Sequence, residues 1–178
     1  MYCKTNYDSP VGRLLIAGDE SGLAGLWLEG QKYYSAGIAR EIEEKNDSAV
    51  LISAKNWLGR YFAGEKPNIS ELSLNPAGSD FRQEVWQILC EIPYGEYITY
   101  GDIAKKITAK SGKFMSGQAV GGAVGHNPIS IIIPCHRVVG VNGSLTGYAG
   151  GIDKKIKLLK HEGADISRLH IPKSGTAL

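Results

Sequence analysis

Residues 99–124 read TYGDIAKKITAKSGKFMSGQAVGGAV. Thr99 is a helix N-cap residue type, and residues 100–107 after it carry a helical pattern. A polar turn at 109–113 leads to a second helical segment at 116–124, with Gly117, Gly121 and Gly122 among alanines and valines. Helix, turn and helix in this order predict a helix-turn-helix. A helical hairpin used only for packing has the same pattern, and the pattern alone leaves both open. Each glycine costs a helix about 1 kcal/mol relative to alanine. Three in one helix imply that its backbone approaches another surface closely. A second helix is one such surface; a DNA groove is another.

Upstream, Ser79 or Asp80 caps a helix with Phe81, Val85, Ile88, Leu89 and Ile92 on one face, and Pro93-Tyr94-Gly95 stops it. Residues 64–79 hold two prolines and two glycines and read as a linker. Before it, residues 2–7, 11–18 and 22–29 read as short strands of an antiparallel meander. Helical patterns follow at 33–45 and 48–63, the second with an apolar face of Val50, Leu51, Ala54, Trp57, Leu58, Tyr61 and Phe62. The expected fold class is mixed α/β (α+β), a small antiparallel sheet with helices followed by a helix-turn-helix domain. The expected domains are an N-terminal α/β domain at 1–78, a DNA-binding and active-site domain at 79–165, and a C-terminal tail at 166–178. The tail, with Pro172, Lys173, Ser174 and Gly175, is expected to be disordered.

With 43% apolar and 21% charged residues in 178, the chain is neither disordered nor fibrous. No apolar run approaches the roughly 18 residues of a membrane span, and the N-terminus lacks a signal-peptide core. A cytoplasmic protein is expected. Lys plus Arg number 20 against 18 acids, a net +2. The halves differ: residues 1–80 carry 8 basic and 11 acidic groups (net −3), and residues 81–178 carry 12 and 7 (net +5). The second half therefore suits an anionic partner such as nucleic acid. Cys3, Cys90 and Cys135 form neither a disulfide framework nor a zinc motif, and no metal is expected. Cys90 falls in the amphipathic pattern of 81–92 and reads as a small core residue. His126, His161 and His170 read as surface or packing residues.

Residues 127–139 read NPISIIIPCHRVV. The isoleucines at 131–133 predict a short buried strand that Pro134 ends by removing a backbone donor. Cys135, His136 and Arg137 then fall at the turn. A thiol beside an imidazole and a guanidinium sits in an electropositive setting that favours thiolate, the nucleophilic form. Adjacent side chains on a strand face opposite ways, so a water is the natural bridge between Cys135 and His136. A carboxylate would orient the histidine. Glu162, Glu84 and Asp102 are candidates, and the residues alone do not choose among them.

The run IIIPCHRVVG at 131–140, preceded by GGAVGHNPIS and followed by NGSLTGYAGG and LLKHEG, resembles the O6-alkylguanine-DNA alkyltransferases (methylated-DNA–protein-cysteine methyltransferases). FRQEVWQILCEIPYGEYITYGDIA matches the start of that family's DNA-binding domain, so the resemblance covers about residues 80–163. It implies a ribonuclease H-like first domain and a winged-helix-like second one. It implies that Cys135 accepts the alkyl group, that His136 takes the thiol proton through water, and that Glu162 holds that histidine. Tyr100 matches the tyrosine that helps extrude the nucleotide and donates to guanine N3. Asn127 matches the asparagine that stabilises the turn between recognition helix and active-site strand. Cys135 and Val138 fall where backbone carbonyls accept from the guanine amine, and Arg137 is a structural partner.

One position departs from the family's pattern. Gln118 stands where an arginine often fills the gap left by the flipped base, and it lacks that charge and reach. Ala119 and Gly122 fit a helix in the minor groove. Ser144, Leu145 and Tyr148 would line the alkyl pocket in a glycine-rich loop, 140–151, that is not a phosphate loop. The implied activity is irreversible transfer of the alkyl group of O6-alkylguanine to Cys135 after base flipping, once per chain. O6-methylguanine is the chief substrate and O4-methylthymine a further candidate. The implied partner is double-stranded DNA containing O6-alkylguanine, with no cofactor, no membrane and a monomeric protein. Two alternatives differ in class: a non-catalytic lesion-binding relative, from which Cys135 distinguishes this chain, and a helix-turn-helix regulator with an incidental cysteine.

Overall fold

Turns at Pro10-Val11 and at Glu20-Ser21 fold the first residues into β1 (Cys3–Ser9), β2 (Gly12–Asp19) and β3 (Gly22–Leu28), each antiparallel to the one before. A left-handed Gly12 (φ 117°) makes the first turn, where the Ser9 hydroxyl donates to the Gly12 carbonyl at 2.6 Å. The short strand β4 (Glu43–Glu44) runs parallel to β1, giving the sheet order β3-β2-β1-β4. The structure is a computed structural model that describes residues 1–36, 38 and 42–173.

The chain forms two units, Met1–Ala77 with Pro128–Ile132, and Gly78–Asn127 with Ile133–Leu178. In the first, α1 (Ala49–Phe62) lays Leu51, Ala54, Trp57, Leu58 and Tyr61 on the sheet. All seven residues of β3 are buried. Its outer edge is closed rather than exposed: Leu23 N–H donates to Ser73 O and Leu26 N–H to Pro128 O, both at 2.8 Å.

The second unit opens with α2 (Asp80–Cys90), capped by the Ser79 hydroxyl, which accepts from Arg82 N–H. Cys90 at its end is half-buried rather than enclosed, and burial pushes its thiol up to about 11. Trp86 Nε1 donates to Ala123 O at 2.9 Å and fixes α2 to the later helix α4 (Gly117–Gly125). Two-residue strands β5 (Ile98–Thr99) and β6 (Val138–Val139) pair in parallel. Between them come α3 (Tyr100–Ser111), with a capping box of Thr99 and Asp102, and α4, capped by Ser116. The last helix is α5 (Ile152–His161). The expected fold class, a small antiparallel sheet with helices and a helix-turn-helix unit, is what these elements form.

Four local expectations are corrected. The helix expected at 33–45 does not form in its described part, because Tyr33 and Ser35 adopt left-handed backbone (φ 58° and 53°) and Glu43–Glu44 pairs with β1; residues 37 and 39–41 lie outside the described residues. Helix α3 runs past 107 to Ser111, where a left-handed Gly112 (φ 72°) stops it. The isoleucines at 131–133 are a buried turn, not a strand. Ile131 has φ 71°, Ile132 N–H donates to Ser130 O, and Cys135 N–H donates to Ile133 O. Their apolarity reports burial and not extension. The tail expected to be disordered packs back on the domain as far as His170. Leu145 N–H donates to His170 O at 2.9 Å, His170 N–H donates to Gly143 O at 3.0 Å, and Ile166 and Leu169 pack on Val139, Leu145 and Leu159. The end of the tail, 174–178, lies outside the described residues.

Candidate active site

Cys135–Arg137 is a single 3-10 turn. Its Val138 cap donates N–H back to Cys135 O. In such a turn consecutive side chains splay around the axis by about a third of a circle. Cys135, His136 and Arg137 therefore point apart, and all three are buried.

Two of the three converge on Glu162, at the C-terminal end of α5. His136 Nε2 lies 2.7 Å from Glu162 Oε1. Arg137 Nε donates to Oε2 at 2.8 Å and Nη2 to Oε1 at 2.9 Å, a bidentate pair. The Gly95 N–H donates to Oε2 at 3.2 Å. The remaining Arg137 group, Nη1, donates to Ile92 O at 2.7 Å, and the guanidinium lies 5.6 Å from the Tyr94 ring centroid. Of the three carboxylates left open by the sequence, Glu162 is the one that meets His136. Glu84 pairs with Lys110, and Asp102 caps α3.

Burial raises the Glu162 carboxyl, but the hydrogen bonds from His136 and Arg137 and the Arg137 charge outweigh it and hold the group well below the usual carboxylate range. Glu162 is thus an anion, and the His136 proton on the shared bond is on Nε2. Burial lowers the imidazole against the pull of Glu162, so His136 rests neutral. Its Nδ1 is then a buried acceptor with no partner among the described residues.

The thiol corrects an expectation. Burial pushes Cys135 up, against the Asn127 side chain, the Lys155 charge and the backbone N–H groups of Cys135 and His136, which lower it. The resting group is a thiol. Arg137, expected to help ionise it, is engaged by Glu162 instead. The cation that acts on the sulfur is Lys155, which the sequence reading missed among the lysines of α5. The signal was there: Lys155 falls on the face of Ile152, Ile156 and Leu159, a position for a buried side chain.

Asn127 Nδ2 donates to Ile133 O at 2.8 Å and closes the base of the 128–132 excursion. The Tyr100 hydroxyl donates to Thr146 O at 3.1 Å and lies 3.4 Å from Gly147 O. Burial, then the Cys135 sulfur, pushes its pKa far up, so it remains a donor. Tyr148 is buried near the same groups, and its hydroxyl has no partner among the described residues.

Two family profiles match the chain. The ribonuclease-like domain of 6-O-methylguanine DNA methyltransferase matches residues 1–76, and the DNA-binding domain of the same family matches residues 80–164. The methylated-DNA–protein-cysteine methyltransferase of Methanosarcina acetivorans is 45% identical over 163 residues, 89% of this chain and 96% of its own length. The chain belongs to this methyltransferase family. The Mycobacterium tuberculosis relative is 44% identical over 155 residues, 87% of this chain and 88% of its own. The crystal structure of the O6-methylguanine methyltransferase of that organism aligns with a TM-score of 0.76 at 41% identity, covering 98% of this chain and 97% of that one. Its OGT in complex with DNA aligns with a TM-score of 0.76 at 42% identity, covering 94% of each.

The remaining residues singled out by the methyltransferase resemblance divide by exposure. Gln118 and Ala119 are exposed and Gly122 is half-buried, all on one face of α4. A Cβ added at Gly122 meets nothing within 4 Å, so helix packing is not why that residue is small. Ser144 and Leu145 lie where the loop pairs with His170, and Leu145 is buried. The Val138 carbonyl accepts from Lys155 Nζ. Among the described residues no helix is long and apolar enough to cross a membrane, and no cluster of three His, Cys, Asp or Glu side chains could hold a metal.

Proposed function

We propose that this protein repairs DNA by moving the alkyl group of O6-alkylguanine, chiefly O6-methylguanine and secondarily O4-methylthymine, onto Sγ of its own Cys135. The observation that carries this reading is the buried Cys135 thiol, one residue before a neutral His136 anchored to an ionised Glu162.

The base leaves the duplex first, because a stacked base cannot reach a buried thiol; this costs a few kcal/mol, less for a poorly paired lesion. The exposed small face of Ala119 and Gly122 suits a groove, and Gln118 fills the space left in the stack. His136 Nδ1 then takes the thiol proton through a water, and Glu162 stabilises the imidazolium. The thiolate attacks the alkyl carbon. A C–S bond forms, the C–O6 bond breaks, and its electron pair goes to guanine, which takes up the proton. Tyr100 donates to guanine N3 and makes it a better leaving group, while the carbonyls of Cys135 and Val138 accept from its amine. Ser144, Leu145 and Tyr148 line the alkyl pocket.

The balance is thiol plus O6-methylguanine to S-methylcysteine plus guanine, with no cofactor in the equation. A thioether is a poor leaving group, so each chain reacts once. We place the reaction in a monomer and in the cytoplasm. The test is Cys135→Ala, assayed with a duplex carrying O6-methylguanine. Transfer is expected to vanish while lesion binding persists; transfer retained by this variant contradicts the reading.

A further inference from the structure

Lys155 is a fully buried cation that the reaction just described leaves without a task. Its Nζ donates to two carbonyls, Val138 O and Thr146 O, the second at 2.9 Å. Val138 is tied to Cys135 by the N–H that closes the 3-10 turn, and Thr146 O also accepts from the Tyr100 hydroxyl. One ammonium thus joins the Cys135 turn, the pocket loop and the first residue of α3. We propose that Lys155 is a positioning residue for alkyl transfer, which pins the pocket loop to the Cys135 turn and holds a fixed positive charge for the sulfur to ionise against. This role rests on the reading of Cys135 as the acceptor.

The buried charges support it. Arg137 and Lys155 are cations, Glu162 is an anion, and His136 is neutral. Arg137 and Glu162 neutralise each other through two hydrogen bonds. Lys155 makes no ion pair with a carboxylate among the described residues. A lone buried ammonium is costly, since desolvation favours the neutral amine. Burial lowers Lys155 and the ionised Cys135 sulfur opposes it, leaving the ammonium at about 8. When Cys135 passes its proton to His136 the sum of buried charge is unchanged, and Lys155 gains in the ionised sulfur the anionic counterpart it lacks at rest. The other titratable groups around the sulfur, Tyr100 and Tyr148, are pushed up by burial and stay neutral, so they offer no competing anion.

The test compares Lys155→Met, which keeps length and removes charge, with the unsubstituted protein. Single-turnover methyl transfer from an O6-methylguanine duplex is followed against pH, and affinity for the same duplex is measured with Cys135→Ala added. The apparent thiol pKa should rise by about one unit, with a rate about tenfold lower near neutral pH, since each unit is tenfold in thiolate. Affinity should change less than twofold. A slower rate with an unmoved pH profile reduces Lys155 to scaffolding and overturns the proposal, as does an unchanged rate. Unsubstituted protein that takes up no methyl group instead overturns the acceptor reading beneath it. Should Lys155→Met not fold, 15N-lysine NMR of the unsubstituted protein decides. The Nζ titration midpoint should fall once Cys135 is methylated and can no longer ionise; equal midpoints contradict the proposal.

Discussion

His136 Nε2 and Glu162 Oε1 lie 2.7 Å apart with both side chains fully enclosed. Glu162 also carries Arg137, so one carboxylate orients the imidazole and neutralises a buried guanidinium. Glu162→Gln keeps the shape and removes the charge. It should cost about 3–5 kcal/mol of stability, because it strands a buried cation. It should also slow alkyl transfer and shift its pH profile upward, since the imidazolium loses its counter-ion. Urea denaturation and single-turnover rates measure the two effects. An unchanged pH profile takes Glu162 out of the proton path.

The same pair sets the acid limb of stability. Folding lowers the pKa of both His136 and Glu162, so in each case the unfolded chain binds the proton more readily. Stability is therefore present above the unfolded values and lost as pH falls. The loss should begin near the unfolded histidine value of about 6.5 and steepen below the glutamate value of about 4.3. Urea midpoints measured from neutral to acid pH should fall in those two stages, and His136→Asn should remove the first. Midpoints that rise on acidification contradict the neutral His136.

On α4, Gly122→Leu should separate folding from DNA binding. The position is open, and replacing a helical glycine gains up to about 1 kcal/mol. The thermal midpoint should hold or rise, while affinity for duplex DNA falls about tenfold as the bulk blocks a groove. Gln118→Arg should act the other way and tighten binding, with a steeper salt dependence from the added charge. Fluorescence anisotropy at two salt concentrations reads both. Unaltered affinity in both variants places the DNA on another face.

Much of the fold is legible in the sequence. The cap at Thr99, the glycines of α4 and the polar turn between them mark helix, turn and helix because they are local signals, though they do not separate a DNA-binding unit from a packing hairpin. Cys135 and His136 stood out because two reactive side chains adjoin a proline. Non-local pairings were hidden. Nothing in 33–45 shows that Tyr33 and Ser35 turn left-handed or that Glu43–Glu44 pairs with β1, because the partner strand is distant in sequence. Burial of 131–133 was visible, but the isoleucines do not say turn or strand. The residues by themselves do not choose Glu162 over Glu84 and Asp102, because 26 residues separate it from His136; the family resemblance makes that choice. Lys155 is legible only by its place on the apolar face of α5, a signal that the neighbouring Lys154 and Lys157 mask.

The segment after Ala164 offers a further check. Its Ile166 and Leu169 cover Val139 and Leu145, and His170 pairs with the loop that holds Ser144. Removing residues 165–178 should cost about 2–4 kcal/mol, from two partly buried apolar side chains and two backbone hydrogen bonds. The transition measured by calorimetry should drop accordingly. An unchanged transition makes the segment dispensable to the pocket loop.

The most direct test weighs the sulfur itself. The protein is mixed with excess duplex containing O6-methylguanine, digested, and each cysteine peptide is examined by mass spectrometry. One methyl group should appear on the peptide holding Cys135, none on those of Cys3 and Cys90, and uptake should stop at one methyl per chain. A Cys135 peptide of unchanged mass, or uptake that continues past one methyl per chain, would contradict the self-alkylating reaction.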